Sequence, residues 1–253
     1  MRSIAVSVAV GLLGAAVATW FFGWIAGLVP FILLGIGTQF FLTRRVGKFV
    51  EVEMTRVPAL LQERKVDDAR RVLEGIRNRW GPWQPLLSGA MDAQIGMLEY
   101  MQLHFDAALP LLKRGTFRNW MAVTAIGCIH WRKGDKAAAK KAFGDAVTTG
   151  GADPMAFVVP AVLLAEAGDG TEALAMLAKG VTAHPKSELV LGLQRTIANK
   201  GKIDRSKLPE AWLQFFPEDL ARQMMVRGRK GGPDPRMPTA PAPKWGARSA
   251  PRR

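Results

Sequence analysis

Few residues in this chain have the type and spacing that chemistry needs. The stretch KGDKAAAKKAF (133–143) sets Gly134, Asp135 and Lys136 in front of an alanine-rich helix, a composition that phosphate-binding loops share. Such a loop needs G-x-x-x-x-G-K followed by Ser or Thr, after a strand, so that backbone N–H groups ring the anion. Here Ala137 follows the lysine and a helical pattern precedes the glycine, so no nucleotide site is expected. Cys128 and His130 stand two residues apart, on different faces of a helix, with no acid nearby to complete a nucleophile. His130 reads as a core-filling residue. The carboxylate pairs Glu51/Glu53 and Asp67/Asp68 have basic neighbours and read as solvated helix faces. A single cysteine excludes an intramolecular disulfide and a cysteine-cluster metal site. His104, His130 and His184 have no ligand spacing. The expectation is a chain without catalytic residues, cofactor or metal, and not an enzyme.

The elements that would carry any site are more legible. Between Arg2 and Arg44 lie 41 consecutive residues without a formal charge. As one helix they would run about 60 Å, roughly twice the hydrocarbon thickness of a bilayer. Two spans, at 4–21 and 25–42, with a turn near Phe22-Gly23-Trp24, fit better. Trp20, Phe21, Phe22 and Trp24 cluster at that turn, where an aromatic belt belongs. Gly11, Gly14, Ala15 and Ala18 would let the helices approach closely. Arg2 flanks one end and Arg44, Arg45 and Lys48 the other, which puts both ends in the cytoplasm by the positive-inside rule. The start also imitates a secretory signal, with Ala16-Val17-Ala18 as its cleavage site. A second apolar run ending in Arg44-Arg45 acts instead as a stop and anchor.

From Val46 to about Lys200 helical spacing and glycine punctuation dominate. WRKGDKAAAKKAFGDAV (131–147) aligns with AEAGDGTEALAMLAKGV (165–181), and Gly134/Gly168, Asp135/Asp169, Ala139/Ala173 and Phe143/Leu177 are each 34 residues apart. That period suits two short antiparallel helices, which cannot bury their apolar faces without a neighbouring pair. Glycine would end one helix and aspartate start the next. Alanine would mark the close approach, and Phe143 or Leu177 would fill the space one turn later. With Gly127 and Ala161 as further small positions, the pattern resembles the tetratricopeptide repeat. Weaker units align through Gly96, Phe105, Ala108 and Leu112, and through Ala69 and Leu73; the WGPWQP segment (80–85) lengthens the interval between them. His130 stands where that family usually has a tyrosine.

The resemblance implies a groove lined by the first helix of each pair and fitted to an extended or helical peptide. It would comprise Met97, Tyr100 and Met101 from the second unit, and Met121, Thr124, Cys128, Trp131 and Arg132 from the third. Met155, Val158 and Glu166 would come from the fourth. Arg132 could fix a carboxylate there. The same residues would be covered if Trp212, Phe215 and Phe216 pack back on the array from two short helices, and both arrangements fit the sequence. The segment 187–199 reads as a closing helix.

The expected fold is therefore all-α: a transmembrane helical hairpin (1–43), then a tetratricopeptide-like solenoid of about four helix pairs (44–200). C-terminal short helices (201–227) and a disordered basic tail rich in Pro, Gly and Arg (228–253) follow. From Arg227 onward eight Lys/Arg face one acid, +7 of the net +14. The expected function is a non-catalytic scaffold or adaptor. It would bind a protein or peptide partner at the cytoplasmic face of a bacterial-type inner membrane, with the repeats and both termini cytoplasmic. Its class rival is a polyanion-binding protein acting through the tail. Arg44, Arg45, Lys48, Arg227, Arg229 and Lys230 would then touch anionic lipid. Nucleic acid is disfavoured, since Trp245 is the one aromatic in the tail.

Overall fold

A glycine at a helix end marks a place where the backbone turns left-handed, and here the same turn recurs where no glycine stands. The computed structural model describes residues 2–22, 24–84 and 86–219, without the side chains of 18 and 21–30. Among the described residues there are eleven α-helices and no strand. They are α1 (Arg2–Phe22), α2 (Trp24–Met54), α3 (Arg56–Gln62), α4 (Val66–Trp80), α5 (Leu87–Met101) and α6 (Phe105–Arg114). α7 (Trp120–Arg132), α8 (Lys136–Thr149), α9 (Met155–Glu166), α10 (Gly170–Ala183) and α11 (Glu188–Ala198) follow. Two 3-10 turns, Arg205–Lys207 and Glu210–Gln214, come last. The expected all-α class is observed.

Four pairs, α3/α4, α5/α6, α7/α8 and α9/α10, close on one turn geometry. Arg64, Leu103, Gly134 and Gly168 have φ of 60°, 67°, 80° and 89°. The next N–H reaches back to a carbonyl five residues earlier: Lys65 to Leu60 (2.8 Å), His104 to Glu99 (2.9 Å), Asp135 to His130 (3.0 Å) and Asp169 to Leu164 (2.9 Å). This satisfies carbonyls that a helix end otherwise leaves open. Five residues after each left-handed position comes a fully buried alanine: Ala69, Ala108, Ala139 or Ala173. One turn later Leu73, Leu112, Phe143 and Leu177 are equally buried. Opposite them lie the small positions. A Cβ on Gly127 would sit 2.4 Å from the Phe143 ring, and one on Gly96 2.9 Å from Leu112 Cγ.

The turn appears a fifth time. Lys200 has φ 52°, and Gly201 N–H bonds the Thr196 carbonyl at 2.8 Å. So α11, capped by Ser187, is the first helix of a pair whose second helix is missing. The places of the close-packing alanine and the large filler are held by Arg205 and Pro209. A charged residue and a helix breaker there stop the repeat.

First helices touch first helices along the array, α5 against α7, α7 against α9 and α9 against α11. α9 is apolar all round, with every residue from Met155 to Leu164 buried, because neighbours cover all its sides. Asn119 and Asp135 cap α7 and α8 by accepting the Ala122 and Ala138 N–H groups.

The hairpin helices differ from expectation in length. α2 does not end near residue 42 but continues to Met54, crossing the expected 43/44 boundary. Its last turns pack on α4, with Phe49 stacked on Trp80 at 5.3 Å and 10°. α1 and α2 lie close where a Cβ on Gly11 would meet the Phe31 carbonyl at 2.8 Å, and Ser7 Oγ lies 3.0 Å from Gln39 Oε1. Among the described residues no helix is long and apolar enough to cross a membrane. One compact unit runs to Phe215 and includes hairpin and pairs alike; a second begins at Phe216. The last part of the expected C-terminal helices (201–227), from residue 220, and the whole basic tail lie outside the described residues.

Two glycines ten residues apart should respond oppositely to alanine. Gly134→Ala is expected to destabilise by about 1–2 kcal/mol, the cost of a side chain in the left-handed region. Gly144→Ala, in an open position of α8, should stabilise by roughly 0.5–1 kcal/mol. Urea unfolding of the full chain in detergent measures both.

Candidate peptide groove

The first helices α5, α7 and α9 form one face, and the chain itself lies on it. After Lys200 the backbone leaves the array. Asp204 Oδ1 accepts from Ser206 N (3.0 Å) and Ser206 Oγ (2.7 Å), which starts the turn Arg205–Lys207. Those two bonds, the side-chain one first, hold the Asp204 carboxyl below its ordinary pKa. The turn delivers Arg205 to Glu166 at the end of α9. Nε lies 2.8 Å from Oε1, and Nη2 bonds Oε2 in a two-pronged pair. The same guanidinium covers the Trp212 ring at 5.3 Å. Trp212 is completely buried, and the turn Glu210–Gln214 that carries it contacts α9.

Phe215 ends the segment. Its ring lies beside Trp120, centroids 6.1 Å apart. Its carbonyl accepts from Tyr100 Oη at 2.7 Å and from Arg132 Nη2 at 2.9 Å. Arg132 also bonds the Tyr100 hydroxyl and stands over the Phe105 and Tyr100 rings at 4.8 and 5.4 Å. Tyr100 is wholly buried. A guanidinium and a phenol thus converge on one backbone carbonyl, with two rings beneath the guanidinium, a strong hydrogen-bonding arrangement because one donor is charged.

The structure brings together Tyr100, Arg132 and Glu166, each bonded to the 203–215 segment. Arg132, expected to fix a carboxylate, holds this carbonyl instead. Thr124, Cys128, Met155 and Val158 are buried, Met97 and Met121 half-buried, and Met101 exposed. Trp131 packs within its own pair, 6.3 Å from Phe143 and under the Lys136 ammonium at 5.9 Å. Arg44, Arg45 and Lys48 are exposed on α2, while Arg227, Arg229 and Lys230 lie outside the described residues. Between Lys202 and Pro217 the segment forms the 3-10 turns Arg205–Lys207 and Glu210–Gln214 where a short α-helix was expected.

The Gly134–Lys136 loop is committed to structure, with Asp135 capping α8 and Lys136 covering Trp131. Lys140 joins Asp169 (3.2 Å) and Glu172 (2.7 Å) of the next pair; the Glu172 bond, then the Asp169 bond, raises its pKa. Sequence reasoning also missed a ladder between α4 and α5. Buried Asp92 pairs with Arg77 (2.9 Å) and Arg114 (3.4 Å), and buried Glu99 with Arg70 and His104 (3.0 Å). Its signal was present: acids seven apart on α5 answer arginines seven apart on α4. Asp92→Ala, which removes the acid shared by the part-exposed Arg77 and the exposed Arg114, should cost about 1–2 kcal/mol in the same unfolding measurement. Among the described residues no three His, Cys, Asp or Glu side chains converge as a metal ion requires. No family model matches the sequence, and no curated protein matches it.

Proposed function

We propose that this chain is a non-catalytic adaptor of the tetratricopeptide-repeat type, anchored in a membrane, whose groove receives an aromatic segment of a protein partner. The observation that carries this reading is the Phe215 carbonyl. Tyr100 from α5 and Arg132 from α7 grip a backbone acceptor of an irregular segment, while Trp212 and Phe215 are buried beside it. Backbone capture beside aromatic burial is the chemistry of peptide recognition. The 203–215 segment occupies the groove until a partner segment replaces it.

The anchor reading rests on the hairpin surface. Leu13, Val17, Leu33, Ile36, Phe40 and Phe41 are each more than 60% exposed, an apolar patch that water does not favour. In the sequence the uncharged run is continuous over 3–43. The flanking arginines orient the repeats to the cytoplasmic side of a bacterial-type inner membrane, and Arg44, Arg45 and Lys48 would face anionic headgroups.

Affinity purification from solubilised membranes tests the groove. Trp212→Ala with Phe215→Ala should enrich a partner relative to the unsubstituted chain, and adding Arg132→Ala should lose it again. Recovery of the same proteins from all three forms refutes the reading. Retention in the membrane pellet after an alkaline carbonate wash is expected of the anchor; release contradicts it.

A further inference from the structure

We infer that Trp80, Trp83 and Leu86 form a second membrane contact, which seats the first helix pair on the bilayer surface beside the hairpin; this rests on the anchor reading above. Three observations converge. The first is depth. Ser7 lies against Gln39, so counting back five residues along the antiparallel α1 brings Arg2 level with Arg44. The Arg2 N–H donates to the Pro82 carbonyl at 2.7 Å. That bond ties the WGPW turn to the level where the uncharged run ends. Phe49, stacked on Trp80, lies one to two helical turns further along α2.

The second is composition. Around this level stand Trp80, Trp83, Phe49 and Leu86, with Arg44, Arg45 and Lys48 exposed on α2 and the Arg79 guanidinium 5.1 Å from the Trp80 ring centre. Indole rings mixed with cations match the headgroup layer, where one side of each ring is apolar and the other wet. The third is an expense of conformation. Leu86 has φ 69°, and its side chain is 60% exposed. A leucine in the left-handed region costs energy that glycine or asparagine would spare, and in water its exposure recovers nothing. Against acyl chains the exposed side chain is stabilised. Phe49 and Val52, 47% and 60% exposed on the adjoining turns of α2, extend the same apolar edge.

The occupant is the lipid interface, because the patch continues from the hairpin at the depth of its flanking charges. The test uses the full chain in vesicles of phosphatidylcholine and phosphatidylglycerol, with Cys128→Ala as background. An environment-sensitive fluorophore is placed by Leu86→Cys, Leu13→Cys or Phe117→Cys in separate proteins, and quenched by lipids spin-labelled near the top or the end of the acyl chain. The label at 86 is expected to lose most of its fluorescence to the shallow quencher. The label at 13 should respond to the deep quencher and the label at 117 to neither. Quenching at 13 without quenching at 86 overturns this inference and leaves the anchor standing. No quenching at either overturns the anchor itself. A label at 86 shielded from aqueous iodide yet untouched by lipid quenchers assigns the patch to a protein contact and also overturns the inference.

Discussion

Phe143→Ala is expected to destabilise the full chain by about 3–5 kcal/mol, the usual cost of emptying a buried phenylalanine site. Gly127→Ala should cost roughly 1–3 kcal/mol by overpacking the same contact from the other side. The ring is fully buried, and a Cβ at Gly127 would intrude to 2.4 Å of it. The chain contains its own compensation, because the next pair uses Ala161 and Leu177 at these two places, both fully buried. Gly127→Ala combined with Phe143→Leu should therefore recover much of what each substitution loses alone. A double-mutant cycle from urea midpoints measures the coupling. Strict additivity would mean that the two residues do not share one packing site.

Trp212→Ala should act locally rather than on the whole array. Its indole is completely buried between Arg205 and the α9 side of the groove, and losing it removes about 3 kcal/mol or more of docking. The segment is short and joins the array through one strand of chain after Lys200, so it can open without unfolding the pairs. The open population should rise on the order of 10²-fold. Faster amide exchange over 203–215 and tryptic cleavage at Lys207 would report it, with exchange in α7 and α9 unchanged.

The repeat was legible where glycine wrote it. Gly134 and Gly168 announce their turns, and the 34-residue spacing locates the buried Ala139 and Ala173. The equivalent turns at Arg64, Leu103 and Lys200 were not legible, because residues that resist positive φ hold it under tertiary packing. The segment 187–199 read as a closing helix, and α11 is the last α-helix among the described residues, packed on α9 and α10. In the candidate groove, Tyr100, Arg132 and Glu166, which helical spacing grouped, each bond the 203–215 segment. Trp131, grouped with them, has its ring 6.3 Å from Phe143 of its own pair. That the chain would fill its own groove was one of two arrangements the sequence allowed. The deciding interactions, Arg205 with Glu166 and the Phe215 carbonyl with Arg132, span 39 and 83 residues and leave no periodic trace.

The central claim is that the groove is a peptide site now holding residues 203–215. It is tested most directly by folding the whole chain first and cutting it afterwards, at a protease site introduced after Lys202. The released C-terminal fragment should co-elute with the array in detergent and be displaced by an excess of free peptide covering 203–215. It should separate at once when the chain carries Trp212→Ala and Phe215→Ala. Immediate separation of the unsubstituted fragment, or retention of the doubly substituted one, would contradict the account.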